Sequence, residues 1–285
     1  MQVFSLASEM ENFERKAHRQ GQKISFVPTM GALHEGHRAL FHEARKQGSV
    51  VVVSLFVNPK QFNDPKDFEK YPKNFEKDKT LCEQEKIDVV FAPTVEEVYP
   101  EGTSDLKIPL PDVAQPLEGK LRPGHFEGVV AVVARLFQMV QPDDALFGEK
   151  DYQQLRVIQD MTKQQGLPVR IVGHPTVRTS AGLALSSRNQ RLTKDGLQKA
   201  LVIFQSLQKA KKLFSLGERR PLKIQEEVKK SLLQSSDVQI DSVDVVDADS
   251  LHEIDSIQKK ALVAVAVFIE GVRLIDNCLL NPTSL

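Results

Sequence analysis

The stretch VPTMGALHEGH (27–37) sets two histidines three residues apart, with one glycine between them and another upstream, at the end of an apolar run. If this is a strand-to-helix junction, the first backbone N–H groups of the helix lack partners and carry partial positive charge, which suits phosphate. Gly31 and Gly36 let the backbone turn tightly and let a ligand come close. His34 and His37, at i and i+3, can share one side of the helix start. There they could donate hydrogen bonds to phosphate oxygens and stabilise charge developing at phosphorus. A metal pair is a weaker alternative, because zinc proteases carry H-E-x-x-H with histidines four apart, and no third ligand follows HEGH. Two solvated histidines would be the default for an isolated pair; the glycines and the junction tip the balance toward phosphate.

Three further stretches offer related chemistry. In SLFVNPKQF (54–62), Asn58 and Gln61 follow a buried apolar run, and their amides can hydrogen-bond a hydroxyl or carboxylate without a large desolvation cost. Alone, Asn-Pro is simply a turn signal. In LFGEKDYQQL (146–155), Lys150 offers charge to phosphate oxygens and Asp151 a carboxylate for Mg²⁺ or for a helix cap. A capped helix with charged first-turn residues explains that stretch equally well. In ALSSRNQRL (184–192), Ser186, Ser187 and Arg188 combine two hydroxyls with a guanidinium, a set suited to polyphosphate, although serines before a helix are more often caps. The four stretches agree in kind. The chain has no G-x-x-x-x-G-K-[ST] loop and no G-x-S-x-G elbow.

The elements that must position these residues alternate in type over the first two thirds of the chain. KISFVPT (23–29), SVVVVSLFV (49–57), IDVVFAP (87–93), DALFG (144–148) and LPVRIVGHP (167–175) read as strands. Residues 37–48, 74–86, 128–140 and 152–166 read as helices between them. This rhythm predicts a Rossmann-like, doubly wound parallel sheet, with ligands outside the carboxyl ends of its strands. The proline-rich segment 94–127 interrupts it as an excursion of loops and short extended pieces. Beyond about residue 176, helices at 193–214 and 222–234 precede three strands, VQIDSVDVVDA, ALVAVAVFI and GVRLIDNC. The expectation is an α/β domain over 1–176 and a smaller α+β domain over 177–285 that closes over the site.

With 285 residues, a hydrophobic fraction of 41% and a charged fraction of 27%, the chain has ordinary globular composition. Lys+Arg and Asp+Glu are equal at 38 each, so no overall field argues for nucleic acid or an anionic membrane as partner. No apolar stretch approaches the roughly 20 residues of a membrane helix. The N-terminus has no secretory pattern and reads as a folded start, with Ser8 and Glu11 at capping-box spacing. Cys82 and Cys278 make no metal pattern, and a reducing cytoplasm is the expected compartment.

In order, PTMGALHEGH, VVSLFVNPKQF, RPGHFEGV, FGEKDYQQ and GLALSSRN resemble the pantothenate synthetase (pantoate–β-alanine ligase) family, within the wider HIGH-motif nucleotidyltransferase superfamily. The blocks are collinear over essentially the whole chain. The resemblance implies a homodimer that joins pantoate to β-alanine using ATP and Mg²⁺, through pantoyl adenylate, and releases AMP and pyrophosphate. It implies catalytic roles for His34, His37, Lys150 and Arg188. ATP would lie against Met30, His37, Gly148, Lys150, Asp151, Ser186, Ser187 and Arg188, and pantoate against Asn58, Gln61 and Gln154. Asp78 and Asp151 match acidic positions associated with Mg²⁺. The charged loop 62–80 would act as a gate. Departures from the family pattern are Lys60 for methionine or threonine, YPKN (71–74) for YPRT, and Ala181 and Leu185 for the acidic residue and methionine of DGLAMSSRN. Two rivals are a nucleotidyltransferase that uses no amine acceptor and a catalytically silent nucleotide-binding protein.

Overall fold

The computed structural model describes residues 1–63, 65–100, 108–235 and 237–282. They form two compact units, Met1–Glu149 with Gln154–Pro175, and Lys150–Gln153 with Thr176–Leu285.

The first unit is built on six parallel strands, β1 (Gln2–Phe4), β2 (Ile24–Thr29), β3 (Val50–Leu55), β4 (Val89–Phe91), β5 (Asp144–Gly148) and β6 (Arg170–His174), in the order β1-β4-β3-β2-β5-β6. Val50–Val53 can be an unbroken apolar run because helices cover both faces of such a sheet, and Val51, Val52 and Val53 are fully buried. The crossover helices are Glu35–Gln47, Phe75–Gln84, His125–Val140 and Tyr152–Gln164. Strand order reverses between β2 and β5, which pair through Ser25–Asp144 and Phe26–Ala145. At such a switch point the loops beyond two neighbouring strands diverge and leave a crevice. The loops after Thr29 and after Gly148 are the two that flank it.

Two details differ from the sequence reading. The edge strand β1, three residues long and paired with β4, carries too short an apolar pattern to register. The first helix begins at Ala7, so Ser8 is not its cap; Glu9, not Glu11, reaches back, with Oε2 accepting from Ser5 N–H at 3.2 Å and Leu6 N–H at 3.1 Å. Of the segment 94–127, the described parts contain short helices at Val95–Val98 and Glu118–Leu121, while 101–107 lie outside the described residues.

The second unit carries an antiparallel sheet of β7 (Gln239–Asp247), β8 (Ala261–Ile269) and β9 (Val272–Leu280), in the order β7-β8-β9. Helices Leu201–Ser215 and Pro221–Leu232 supply its apolar cover through Leu207, Phe214, Ile224 and Val228, all buried with Val263, Val265 and Val267. The stretch 193–214 forms two helices instead of one, Lys194–Lys199 and Leu201–Ser215. The break falls where Ile203 N–H bonds the Ala200 carbonyl three residues back, a tighter turn than the α-helix makes. No helix among the described residues is long and apolar enough to cross a membrane.

Candidate functional site

The loop after β2 is held from below by a carboxylate. Asp78, 4% exposed on the helix Phe75–Gln84, accepts from Ala32 N–H through Oδ2 and from Leu33 N–H through Oδ1, both at 2.8 Å. The turn needs that anchor, because Gly31 (φ 76°) and Ala32 (φ 52°) are both left-handed and alanine there is strained. A Cβ on residue 31 would stand 2.8 Å from Asp78 Oδ2, so glycine is required for space as well as for φ. Thr29 Oγ1 adds a second brace by accepting from Gly31 N–H at 3.1 Å.

This geometry gives Asp78 a job other than metal binding. Mg²⁺ sites use carboxylates with lone pairs turned toward the ion and several waters. Both Asp78 oxygens instead face backbone donors inside the loop, so Asp78 does not fit a Mg²⁺ ligand. Asp151 is half exposed and 3.8 Å from Lys150 Nζ. Among the described residues no three His, Cys, Asp or Glu side chains gather as a metal cage. Asp78→Ala is expected to leave two buried N–H groups unpaired and destabilise the fold by about 2–4 kcal/mol. The check is a denaturant melt beside a Mg²⁺ titration of activity. A half-saturating Mg²⁺ concentration that moves in a variant of native stability would return Asp78 to the metal.

The two histidines cap their own helix. His34 is the N-cap, with extended backbone, and its Nδ1 accepts from Gly36 N–H at 3.1 Å. His37 Nδ1 accepts in turn from His34 N–H at 3.2 Å. The three-residue spacing is therefore that of a capping box, with imidazoles in both roles. Backbone N–H groups only donate, so each Nδ1 is an acceptor and each neutral ring carries its proton on Nε2. The rings are 4.2 Å apart between centroids. Their tautomers are thus fixed as two Nε2–H donors at a helix start.

Burial, with His34 adding to it, pushes the His37 pKa down to about 3. The backbone donor at Nδ1 independently favours the neutral ring. The unfolded chain takes up this proton near pH 6.5, and the folded one only near 3. The neutral ring's contribution to stability is therefore complete above pH 6.5 and is lost as pH falls toward 3. An NMR titration should show no His37 protonation between pH 5 and 8, and a midpoint near 6.5 would contradict the caps.

Beyond β3 the turn Pro59–Gln61 is built around Asn58, 1% exposed. Asn58 Nδ2 donates to Gly128 O at 3.0 Å and to Gln61 Oε1 at 3.2 Å. Its Oδ1 accepts from Lys60 N–H at 3.2 Å and from the Tyr99 hydroxyl at 3.0 Å. Both donors and both lone pairs are used inside the protein, so Asn58 orients Gln61. Burial pushes the Tyr99 pKa up and keeps its hydroxyl a donor. The Gln61 carbonyl receives His125 Nδ1–H at 2.9 Å, and Arg122 Nη1 lies 3.2 Å from His125 Nε2. Gln61 Nε2 points at Met30 Sδ, 3.0 Å away, which joins this turn to the one after β2. At Gly128 the helix backbone presses so closely on the turn that a Cβ would meet the Lys60 carbonyl. Tyr99, Arg122, His125 and Gly128 were not read as site residues from sequence; the P-G turn followed by histidine in RPGHFEGV was the available signal.

Gly148 ends β5 with open space where a Cβ would lie, and Gln154 is half-buried near the start of the next helix. In the second unit Lys150, Ser186 and Arg188 line one pocket, with Asn189, Arg273 and Asp276. Ser186 also caps the short helix Ser187–Arg191, its Oγ accepting from Arg188 N–H at 3.3 Å. Ser187 and Asp151 are not part of that lining. Three of the departures have structural partners: Lys60 Nζ lies 4.0 Å over the Tyr99 ring, Lys73 Nζ lies 4.3 Å over Phe68, and Asn74 caps its helix by accepting from Lys77 N–H. Nothing in the structure explains Ala181. Burial pushes the thiols of Cys82 and Cys278 up to about 12, which leaves them unreactive.

The family profile for pantoate-beta-alanine ligase matches residues 2–279. The chain belongs to the pantoate–β-alanine ligase family. Pantothenate synthetase of Leptospira interrogans is 46% identical over 266 residues, 93% of each chain. That of Thermotoga neapolitana is 44% identical over 281 residues, covering 99% of this chain and all of the relative. Among solved structures, the pantoate–β-alanine ligase of Thermus thermophilus superposes with TM-score 0.93 at 39% identity, over 99% of this chain and 100% of that one. The Francisella tularensis ligase, solved in complex with β,γ-ATP and β-alanine, superposes with TM-score 0.81 at 34% identity, covering 98% and 97%. The six-stranded parallel sheet and the small antiparallel sheet are the architecture this ligase family shares with the chain.

Proposed function

We propose that the protein condenses pantoate with β-alanine, using ATP taken up as its Mg²⁺ complex, and releases pantothenate, AMP and pyrophosphate. Family membership supports the ligation, and the pair of Nε2–H donors at a helix start beside the strand-order switch carries the adenylating mechanism. A pantoate carboxylate oxygen attacks the α-phosphorus, and the bond to the bridging oxygen breaks with its electron pair leaving on pyrophosphate. The β-alanine amine then attacks the acyl carbon and expels AMP, the surplus ammonium proton passing to solvent. His34 and His37 donate to oxygens that gain charge in the first step, where fixed dipoles act without reorganising. Lys150 and Arg188 hold the phosphates as fixed cations, with Ser186 and Ser187 donating hydroxyls, while Met30, Gly148 and Asp151 flank the nucleotide. Gln61 and Gln154 bind pantoate, and Asn58 acts through Gln61. Mg²⁺ bound with the nucleotide would neutralise charge on the phosphates, and the half-exposed Asp151 carboxylate beside Lys150 would help to hold it. A mixed anhydride must be shielded from water, and the loop 62–80, in which position 64 lies outside the described residues, gates the site. The family resemblance also carries a homodimer working in the cytoplasm.

The test is a product assay with pantoate, β-alanine and Mg·ATP, following AMP, pyrophosphate and pantothenate together. Equimolar formation of all three supports the ligase. ADP in place of AMP, or nucleotide consumption without pantothenate, would sink it.

A further inference from the structure

Two adjacent residues of β9 hold the two chain segments that form the Lys150–Ser186–Arg188 pocket. Strand alternation puts Asp276 on the buried face with Leu274 and Cys278, and Asn277 on the opposite face. Asn277 Nδ2 donates to the main-chain carbonyl of Lys150 at 3.0 Å, a bond between residues 127 positions apart. Asp276, 4% exposed, takes a two-pronged ion pair from Arg178, at 2.6 Å to Oδ2 and 2.8 Å to Oδ1. Its Oδ1 also accepts from Asn277 N–H at 2.8 Å, which couples the two residues.

Arg178 fixes the loop that leads into Ser186. Its Nη1 donates to Gly182 O at 3.1 Å, and its guanidinium lies 5.0 Å over the Phe204 ring. Gly182 (φ 100°) sits where a Cβ would run into that ring, and Arg178 and Ala184 bridge across the turn. Arg178 therefore braces the loop that delivers Ser186 and Arg188 to the pocket. The acidic group at the pocket is matched by its own arginine, and Arg273 is matched by Asp241 at 2.8 Å.

We propose that Asn277 is a positioning residue for nucleotide phosphates: it sets where the Lys150 backbone lies relative to Ser186 and Arg188, with Arg178–Asp276 fixing the other side. The inference deepens the function proposed above and rests on Lys150, Ser186 and Arg188 being the phosphate-binding groups. A cation displaced by a fraction of an ångström from a triphosphate weakens binding and misaligns the α-phosphorus, while pantoate contacts made elsewhere are untouched.

The experiment uses the full chain with Asn277→Asp, which keeps the volume and removes the donor, and Asn277→Ala as a second variant. Binding of Mg²⁺ with α,β-methylene-ATP is measured by calorimetry, alongside KM for ATP and for pantoate and the thermal midpoint. Both variants should bind the analogue about tenfold more weakly and raise KM for ATP by a similar factor, with KM for pantoate unchanged. Unchanged analogue binding in a folded variant overturns the proposal. So does a parallel rise of both KM values as the thermal midpoint falls, the mark of a merely structural residue. Wild-type protein that does not bind the analogue sinks the phosphate reading of the pocket as well; binding by wild type with unaffected variants sinks this proposal alone.

Discussion

His37→Ala is expected to slow adenylate formation by about 10²- to 10³-fold, the usual loss when one preorganised donor to a developing oxyanion is removed. The same substitution deletes the acceptor for His34 N–H, so it also costs about 1 kcal/mol of helix-cap energy. The two effects separate with His37→Glu. Glutamate at the third helical position reaches back to the N-cap N–H and suits the positive end of the helix dipole, so stability should return to the wild-type value. It offers phosphate no donor and adds a negative charge, so activity should fall below that of the alanine variant. Rapid-quench measurement of pyrophosphate release, beside a thermal melt, checks both halves. Activity that recovers with stability in His37→Glu would reduce the histidine to a cap.

Asn58→Ala is expected to lower both stability and use of pantoate, and by more than Gln61→Ala lowers stability. The substitution strips partners from Lys60 N–H, Gly128 O, the Tyr99 hydroxyl and Gln61 Oε1 at a site 1% exposed. Each buried polar group left unpaired costs about 1–3 kcal/mol, so a total loss of about 3–5 kcal/mol is expected after relaxation. With its amide no longer aimed, Gln61 should bind pantoate poorly, and kcat/KM for pantoate should drop by about 10²-fold. Gln61→Ala should show a comparable kinetic loss with a stability change under about 1.5 kcal/mol. Denaturant melts and pantoate saturation curves on both variants decide it. A stable Asn58→Ala protein with only a raised pantoate KM would mean that Asn58 touches the ligand itself.

The alternation of Val-rich runs with amphipathic stretches was sufficient to place β2 to β6 and their helices, because both periods are written in apolar side chains. The five blocks were sufficient to name the family. Asp78 shows where such reading stops: an acidic residue in a helix looks the same whether it faces a cation or a pair of backbone N–H groups 45 and 46 residues away in sequence. Asn58 likewise reads as a ligand-facing amide until its four partners are in view. The support given by Tyr99, Arg122 and His125 to one glutamine depends on contacts 41 to 64 residues apart, which local spacing does not encode. HEGH was legible as a helix start beside phosphate chemistry, but that both histidines accept backbone N–H groups of that helix start, and so fix their tautomers, shows only in three dimensions.

The most direct test of pantoyl adenylate formation follows one oxygen atom. Pantoate labelled with ¹⁸O in both carboxylate positions is turned over with β-alanine and Mg·ATP, and the AMP and pyrophosphate are analysed by mass spectrometry. Attack of the carboxylate on the α-phosphorus places one ¹⁸O in each AMP and none in pyrophosphate. Unlabelled AMP, or label carried into a phosphate product, would contradict the mechanism.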